Sequence, residues 1–175
     1  MLFRSAKDVL GADAAVVSLF MAVFAIGIAA GSLLCSRLLA GEISAKYVPF
    51  GGVGLSLFTF DLYLTSRGLS GGSRTLVGIA GFVGASTDLR ILVDLLGIAV
   101  SGGVYSVPLY AILQAKSEPA ARSRMIAANN IMNALFMVLG AACAALILAA
   151  GGSVAQIFLI LALANLLVSF YVIKL

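Results

Sequence analysis

Five stretches of this chain run almost unbroken in apolar residues: Val16 to Leu34, Val48 to Leu64, Leu92 to Leu113, Ile126 to Ala150 and Val154 to Ile173. Each approaches the roughly 20 residues that a helix needs to cross about 30 Å of hydrocarbon. A transmembrane barrel would show short segments of alternating polarity, and the chain has none of that pattern. The expected fold is therefore all-α, a polytopic membrane bundle with helices at about 14–38, 47–65, 89–114, 122–150 and 153–174.

The breaks between the spans carry turn chemistry. Arg37 to Lys46 contains Gly41 and Glu42, and Lys116 to Arg124 contains Ser117-Glu118-Pro119, a helix-start signal with proline in the first turn. Gly151-Gly152-Ser153 joins the last two spans. Between Arg67 and Asp88 lies one long Gly/Ser-rich connection, whose apolar patch Leu76 to Val83 is too short to span and is expected to dip into the interface.

Polar positions inside the spans give the functional signal, because hydrocarbon supplies no hydrogen-bond partner. The third span holds Asp94, Ser101, Tyr105, Pro108, Tyr110 and Gln114, and the fourth holds Asn129, Asn130 and Asn133. At about 100° per residue, Asp94, Ser101, Tyr105 and Pro108 share one face of the third span, while Gly103, Ser106, Tyr110 and Gln114 lie nearly opposite. A helix polar on two sides has no lipid face to spare. Gly102-Gly103 and Pro108 weaken its hydrogen-bond ladder, so a kink or local unwinding is expected there. These groups either line a wet cavity, the reading taken here, or bond neighbouring helices in a packed interior. Asp61 and Tyr63, near the end of the second span, read as helix-end groups reaching water, and Arg90 is spaced to pair with Asp94 at i,i+4.

Small residues suggest which spans pack. The first span carries Ala22, Ala25, Gly27, Gly31 and Ser32, and the fourth carries Ala127, Ala128, Ala134, Gly140, Ala141 and Ala145. Small side chains let helix backbones approach, the main source of association in lipid. The second and fifth spans present bulky residues such as Phe50, Leu57, Phe60, Leu163, Leu167 and Phe170, and are expected to face lipid.

Composition agrees with an integral membrane protein: 62% of the 175 residues are hydrophobic and 10% charged, with a mean hydropathy of +1.16. Arg4 and Lys7 ahead of an apolar run imitate a secretory signal, but Asp8 and Asp13 intervene and helical sequence continues to Arg37, so the helix is read as retained. Cys35 and Cys143 lie in different spans without metal-ligand spacing and read as small packing residues. Placing both charged turns and Lys174 on the cytoplasmic side puts Arg37, Lys46, Lys116, Arg122, Arg124 and Lys174 there, against Arg4, Lys7, Arg67, Arg74 and Arg90 opposite. The chain has no histidine, no Ser or Cys with a plausible base, no phosphate-binding glycine loop and no paired carboxylates on one helix face. An enzyme is not expected. Nor is a cofactor, a metal or a nucleic-acid partner.

Gly102-Gly103-Val104-Tyr105-Ser106-Val107-Pro108-Leu109-Tyr110-Ala111-Ile112-Leu113-Gln114, followed by Ala121-Arg122-Ser123-Arg124-Met125-Ile126-Ala127-Ala128-Asn129-Asn130-Ile131-Met132-Asn133-Ala134, resembles the late part of lysophospholipid transporters of the major facilitator superfamily. The likeness is to the bacterial branch fused to an acyltransferase. Lys7-Asp8-Val9-Leu10-Gly11, then Gly31-Ser32-Leu33-Leu34-Cys35-Ser36-Arg37-Leu38 and Val48-Pro49-Phe50-Gly51, carry it through the opening of the chain. One departure concerns the loop after the first span: Ser36 stands where that superfamily usually has an Asp, Arg37 remains, and Ala40, Gly41 and Glu42 replace the later Gly-basic pair.

The resemblance implies the last five helices of a twelve-helix carrier, the eighth to the twelfth, with an N-terminal half outside this chain and, as in the fused branch, a downstream acyltransferase. It implies that the eighth and eleventh helices line the contact between halves, the tenth lines the cavity, and the ninth and twelfth lie outside. The expected function is alternating-access transport of a lysophospholipid across a bacterial inner membrane, with membrane lipid as partner. Asp94, Ser101, Tyr105, Tyr110, Gln114, Asn129, Asn130 and Asn133 would line the path, and Arg37, Arg122 and Arg124 would meet headgroups or gate. Another solute of the same superfamily, or a non-transporting assembly or anchor protein, remains the alternative.

Overall fold

The computed structural model describes residues 14–67 and 86–173. The connection with the patch at Leu76 to Val83, Lys174, and the basic residues Arg4, Lys7 and Arg74 lie outside the described residues. Among the described residues five helices follow one another: α1 (Ala14–Leu39), α2 (Val48–Arg67), α3 (Ser86–Lys116), α4 (Arg122–Ala149) and α5 (Val154–Ile173). Each is long and apolar enough to cross a membrane. The chain is an all-α integral membrane protein.

The turns explain where the helices stop. Ala40 and Gly41 take left-handed backbone angles, φ 48° and 88°, which end α1 and reverse the chain toward α2. At the end of α4, Gly151 (φ 85°) donates its N–H to the Leu148 carbonyl at 3.1 Å, and the Gly152 N–H reaches the Ile147 carbonyl at 2.9 Å. This is the paired closure that satisfies a helix's last carbonyls. Ser153 and Gln156 then bond reciprocally, the Gln156 N–H to Ser153 Oγ at 3.2 Å and the Ser153 N–H to Gln156 Oε1 at 2.9 Å, so α5 starts with a capping box.

Packing centres on α3, which lies against α1 and α2, while α5 lies against the other side of α2. Glycine makes the first contact possible. A Cβ on Gly27 would collide with Ala99, one on Gly31 with the Val100 backbone, and one on Gly103 would sit 2.7 Å from the Ile28 carbonyl oxygen. Residue numbers rise together along this contact, so α1 and α3 run parallel. Along α2 they run opposite: Gly51 meets Tyr105, Gly54 meets Ser101, and Phe58 fills the space above Gly97. The face with Asp94, Ser101 and Pro108 is thus buried in helix contacts, while on the opposite face Gly103 packs on α1 and Tyr110 and Gln114 are exposed.

Several expectations are corrected. On α2 the bulky residues Phe50, Leu57 and Phe60 are exposed as expected, but Val48, Gly51, Gly52, Ser56, Leu62, Thr65 and Ser66 are buried, because its small and hydroxyl residues share the opposite face. On α5 the bulky residues Leu163, Leu167 and Phe170 are exposed as expected, but Ala155, Ala162 and Ser169 form a buried small-residue face against α2. No residue of α4 is buried, and Ala127, Ala128, Ala134, Ala141 and Ala145 are exposed, although α4 touches α3 where Asn133 meets Tyr110. Cys143 is accordingly exposed rather than packed. Finally, α3 stays helical from Ser86 to Lys116 through Gly102, Gly103 and Pro108, so the chain does not unwind there.

Candidate functional site

Pro108 has no N–H to give the carbonyl four residues earlier, which leaves Val104 O without its helical partner. The thiol of Cys35 on α1 donates to that oxygen at 3.8 Å, buried between the two helices. A residue read as a packing cysteine therefore takes up the hydrogen bond that proline removes. Together with the close glycine contacts on both sides, it keeps the middle of α3 helical.

The polar residues expected along one path do not converge. Asp94 and Gln114 are twenty residues apart on one helix, about 30 Å at 1.5 Å per residue. Asp94 and Ser101 are buried between helices, Ser101 against Gly54. Tyr105 is half-buried and its ring covers Gly52 at 3.6 Å from a Cβ there. Tyr110, Gln114, Asn130 and Asn133 are exposed, and Asn129 is half-buried. Arg37, Arg122 and Arg124 are exposed.

One subset does meet. The Asn133 amide on α4 donates to the Tyr110 hydroxyl on α3 at 2.9 Å. Toward the connecting turn, a cleft of about 380 Å³ opens between the same two helices, lined by Ile112, Leu113, Lys116, Ser117, Glu118, Ala121 and Met125. Its walls are mostly apolar, with one ammonium and one carboxylate at the rim, and Arg122 and Arg124 follow at once in the chain. A second hollow of about 310 Å³ lies at the same end of the bundle, where Leu34, Leu38, Tyr47, Phe50, Gly51, Val100, Ser101 and Val104 surround it. Lys46 stands over the Tyr47 ring at 5.7 Å.

The helix directions place five described basic residues, Arg37, Lys46, Lys116, Arg122 and Arg124, at this end with Glu42 and Glu118. The opposite end holds Arg67 and Arg90 with Asp61, Asp88 and Asp94. One end is positive and the other slightly negative among the described residues.

Two polar clusters escape sequence reasoning. Arg90 grips Asp61 of α2 with two nitrogens, Nε to Oδ2 at 2.8 Å and Nη2 to Oδ1, so its partner is not Asp94 and Asp61 is not simply a water-seeking end group. Between α2 and α5, Asn165 Nδ2 donates to the Gly52 carbonyl at 2.7 Å and to Ser56 Oγ at 2.8 Å, and Ser169 packs on Gly52. The available signal was the matched i,i+4 spacing of Gly52 with Ser56 and of Asn165 with Ser169. Among the described residues no group of His, Cys, Asp and Glu is placed to hold a metal ion.

No family model matches the chain, and neither does any curated protein or solved structure.

Proposed function

We propose that the chain is part of a secondary carrier in which the α3–α4 cleft receives an amphipathic solute, a lysophospholipid on the strength of the sequence resemblance to transporters of the major facilitator superfamily. The supporting observation is the cleft itself. Apolar walls from Ile112, Leu113, Ala121 and Met125 suit an acyl chain, while Lys116, Arg122 and Arg124 suit an anionic headgroup. Further into the span the same two helices are joined by the Tyr110–Asn133 pair, which places a hydroxyl and an amide there. The bare surface of α4 fits the same reading, since an asparagine-bearing helix in hydrocarbon needs protein or water beside it. Further helices of the carrier would cover that surface and rock against it.

The positive end would face the cytoplasm, which puts the end of α5 on that side as well. The measurement is transfer of a fluorescent lysophospholipid across membranes of cells that make the protein, comparing Tyr110→Phe and Asn133→Ala with the parent. The carrier reading expects a severalfold slower transfer at equal protein level. Equal rates in all three would reject the cleft as the path. A non-transporting assembly role is the second reading, favoured by the Asn165–Ser56–Gly52 cluster, whose polar groups are spent wholly on joining helices.

A further inference from the structure

The end of α2 and the start of α3 bring together two carboxyl groups and one guanidinium. Arg90 occupies both oxygens of Asp61, and that pair is neutral as a unit. Asp94 lies one turn further along α3, is 2% exposed, and its Oδ2 has no hydrogen-bond partner. Arg90 precedes it by one turn but is committed to Asp61. An ionised carboxyl shut away from water with an unpartnered oxygen is costly, and a proton on it removes the charge. Among the described residues no other charge compensates Asp94. On α3 the nearby charged groups are Asp88 and Arg90, and on α2 they are Asp61 and Arg67, while the described charge on α1, Arg37, sits at the far end and α5 has none.

We propose that Asp94, backed by the Asp61–Arg90 pair, is a binding site for a single exchangeable proton. In the loaded state Asp94 is a neutral carboxylic acid, and with the Asp61–Arg90 pair the cluster carries no net charge inside the α2–α3 contact. On unloading, the O–H bond breaks, its electron pair stays on the Asp94 carboxylate and the proton passes to water. The site then holds two negative charges against one guanidinium. Arg90, at 53% exposure, is free to share itself between both carboxylates, which loosens its grip on α2. If the carrier reading above holds, on which this role rests, the site supplies its coupling ion.

Infrared difference spectroscopy of the purified protein in lipid nanodiscs, titrated with pH, tests the site without requiring solute movement. One protonated carboxyl band should disappear as pH rises, vanish in Asp94→Asn and persist in Glu118→Gln. Asparagine keeps the shape of the neutral acid, and Asp61→Asn provides a second assignment, because the Asp94 band must shift when the neighbouring carboxylate loses its charge and releases Arg90. No band that responds to either variant, or a band displaced by sodium at fixed pH, would overturn the proposal. A band present without lysophospholipid transfer would reject the carrier and keep the proton site, and transfer without the band would do the reverse.

Discussion

α3 and α4 are both long apolar helices interrupted by amide, hydroxyl or phenol side chains, yet they stand in opposite situations. Over most of its length α3 is clasped by α1 and α2 through glycine contacts, with Asp94, Ser101 and Pro108 buried, and only toward its end do Tyr110 and Gln114 come to the surface. α4 has as many small residues and buries none of them. Small residues therefore give a helix the capacity for close approach, while a facing partner of matching shape decides whether that capacity is used. Polar groups follow a similar division: Asp94 and Ser101 of α3 are buried against its neighbours, whereas on α4 Asn133 bonds Tyr110 and Asn130 is exposed.

Substitutions at equivalent glycines break the comparison most forcefully. Gly31→Leu drives a side chain into the backbone of Val100, and the α1–α3 contact must open, at a cost of about 2 kcal/mol or more. Thermal unfolding in detergent should show the loss clearly. Gly140→Leu on α4 meets nothing within 4 Å, and the same assay should show no loss. Equal destabilisation by the two would mean that α4 is packed within the chain after all.

A smaller effect is expected where α2 meets α5. Asn165→Leu removes two donated hydrogen bonds and leaves Ser56 and the Gly52 carbonyl to find other partners, about 1 kcal/mol by comparison with other membrane pairs. Steric trapping or denaturant unfolding in bicelles would measure it. Smaller still is Cys35→Ala, about 0.5 kcal/mol, because a thiol is a weak donor. Cys35→Ser should retain most of that contribution, and a serine variant as unstable as the alanine one would remove the hydrogen bond to Val104 from the account.

The number of helices was legible because crossing a bilayer demands a length of apolar chain that little else does. Gly27 and Gly31 were also recognisable as a packing face. The partner of a side chain was harder to read, since it depends on how helices distant in sequence align. Local spacing offered Asp94 to Arg90 at i,i+4, but the antiparallel register of α2 and α3 brings Asp61, twenty-nine residues away, closer to its guanidinium. Asn165 was hidden for a related reason: amid leucines it looks like an isolated polar residue until Ser56 arrives from the other helix. Pro108 signalled an interrupted ladder correctly, yet nothing near it in the sequence announced that Cys35 would fill the gap.

The contrast between an enclosed α3 and an accessible α4 can be measured directly by labelling single cysteines with a water-soluble maleimide in intact membranes. With Cys35 and Cys143 replaced by serine, Asn133→Cys should react readily, whereas Ser101→Cys, buried against α2, and Leu167→Cys, on the lipid side of α5, should stay unlabelled. An Asn133→Cys variant as inert as the other two would contradict the account, because water would then not reach the asparagine face of α4.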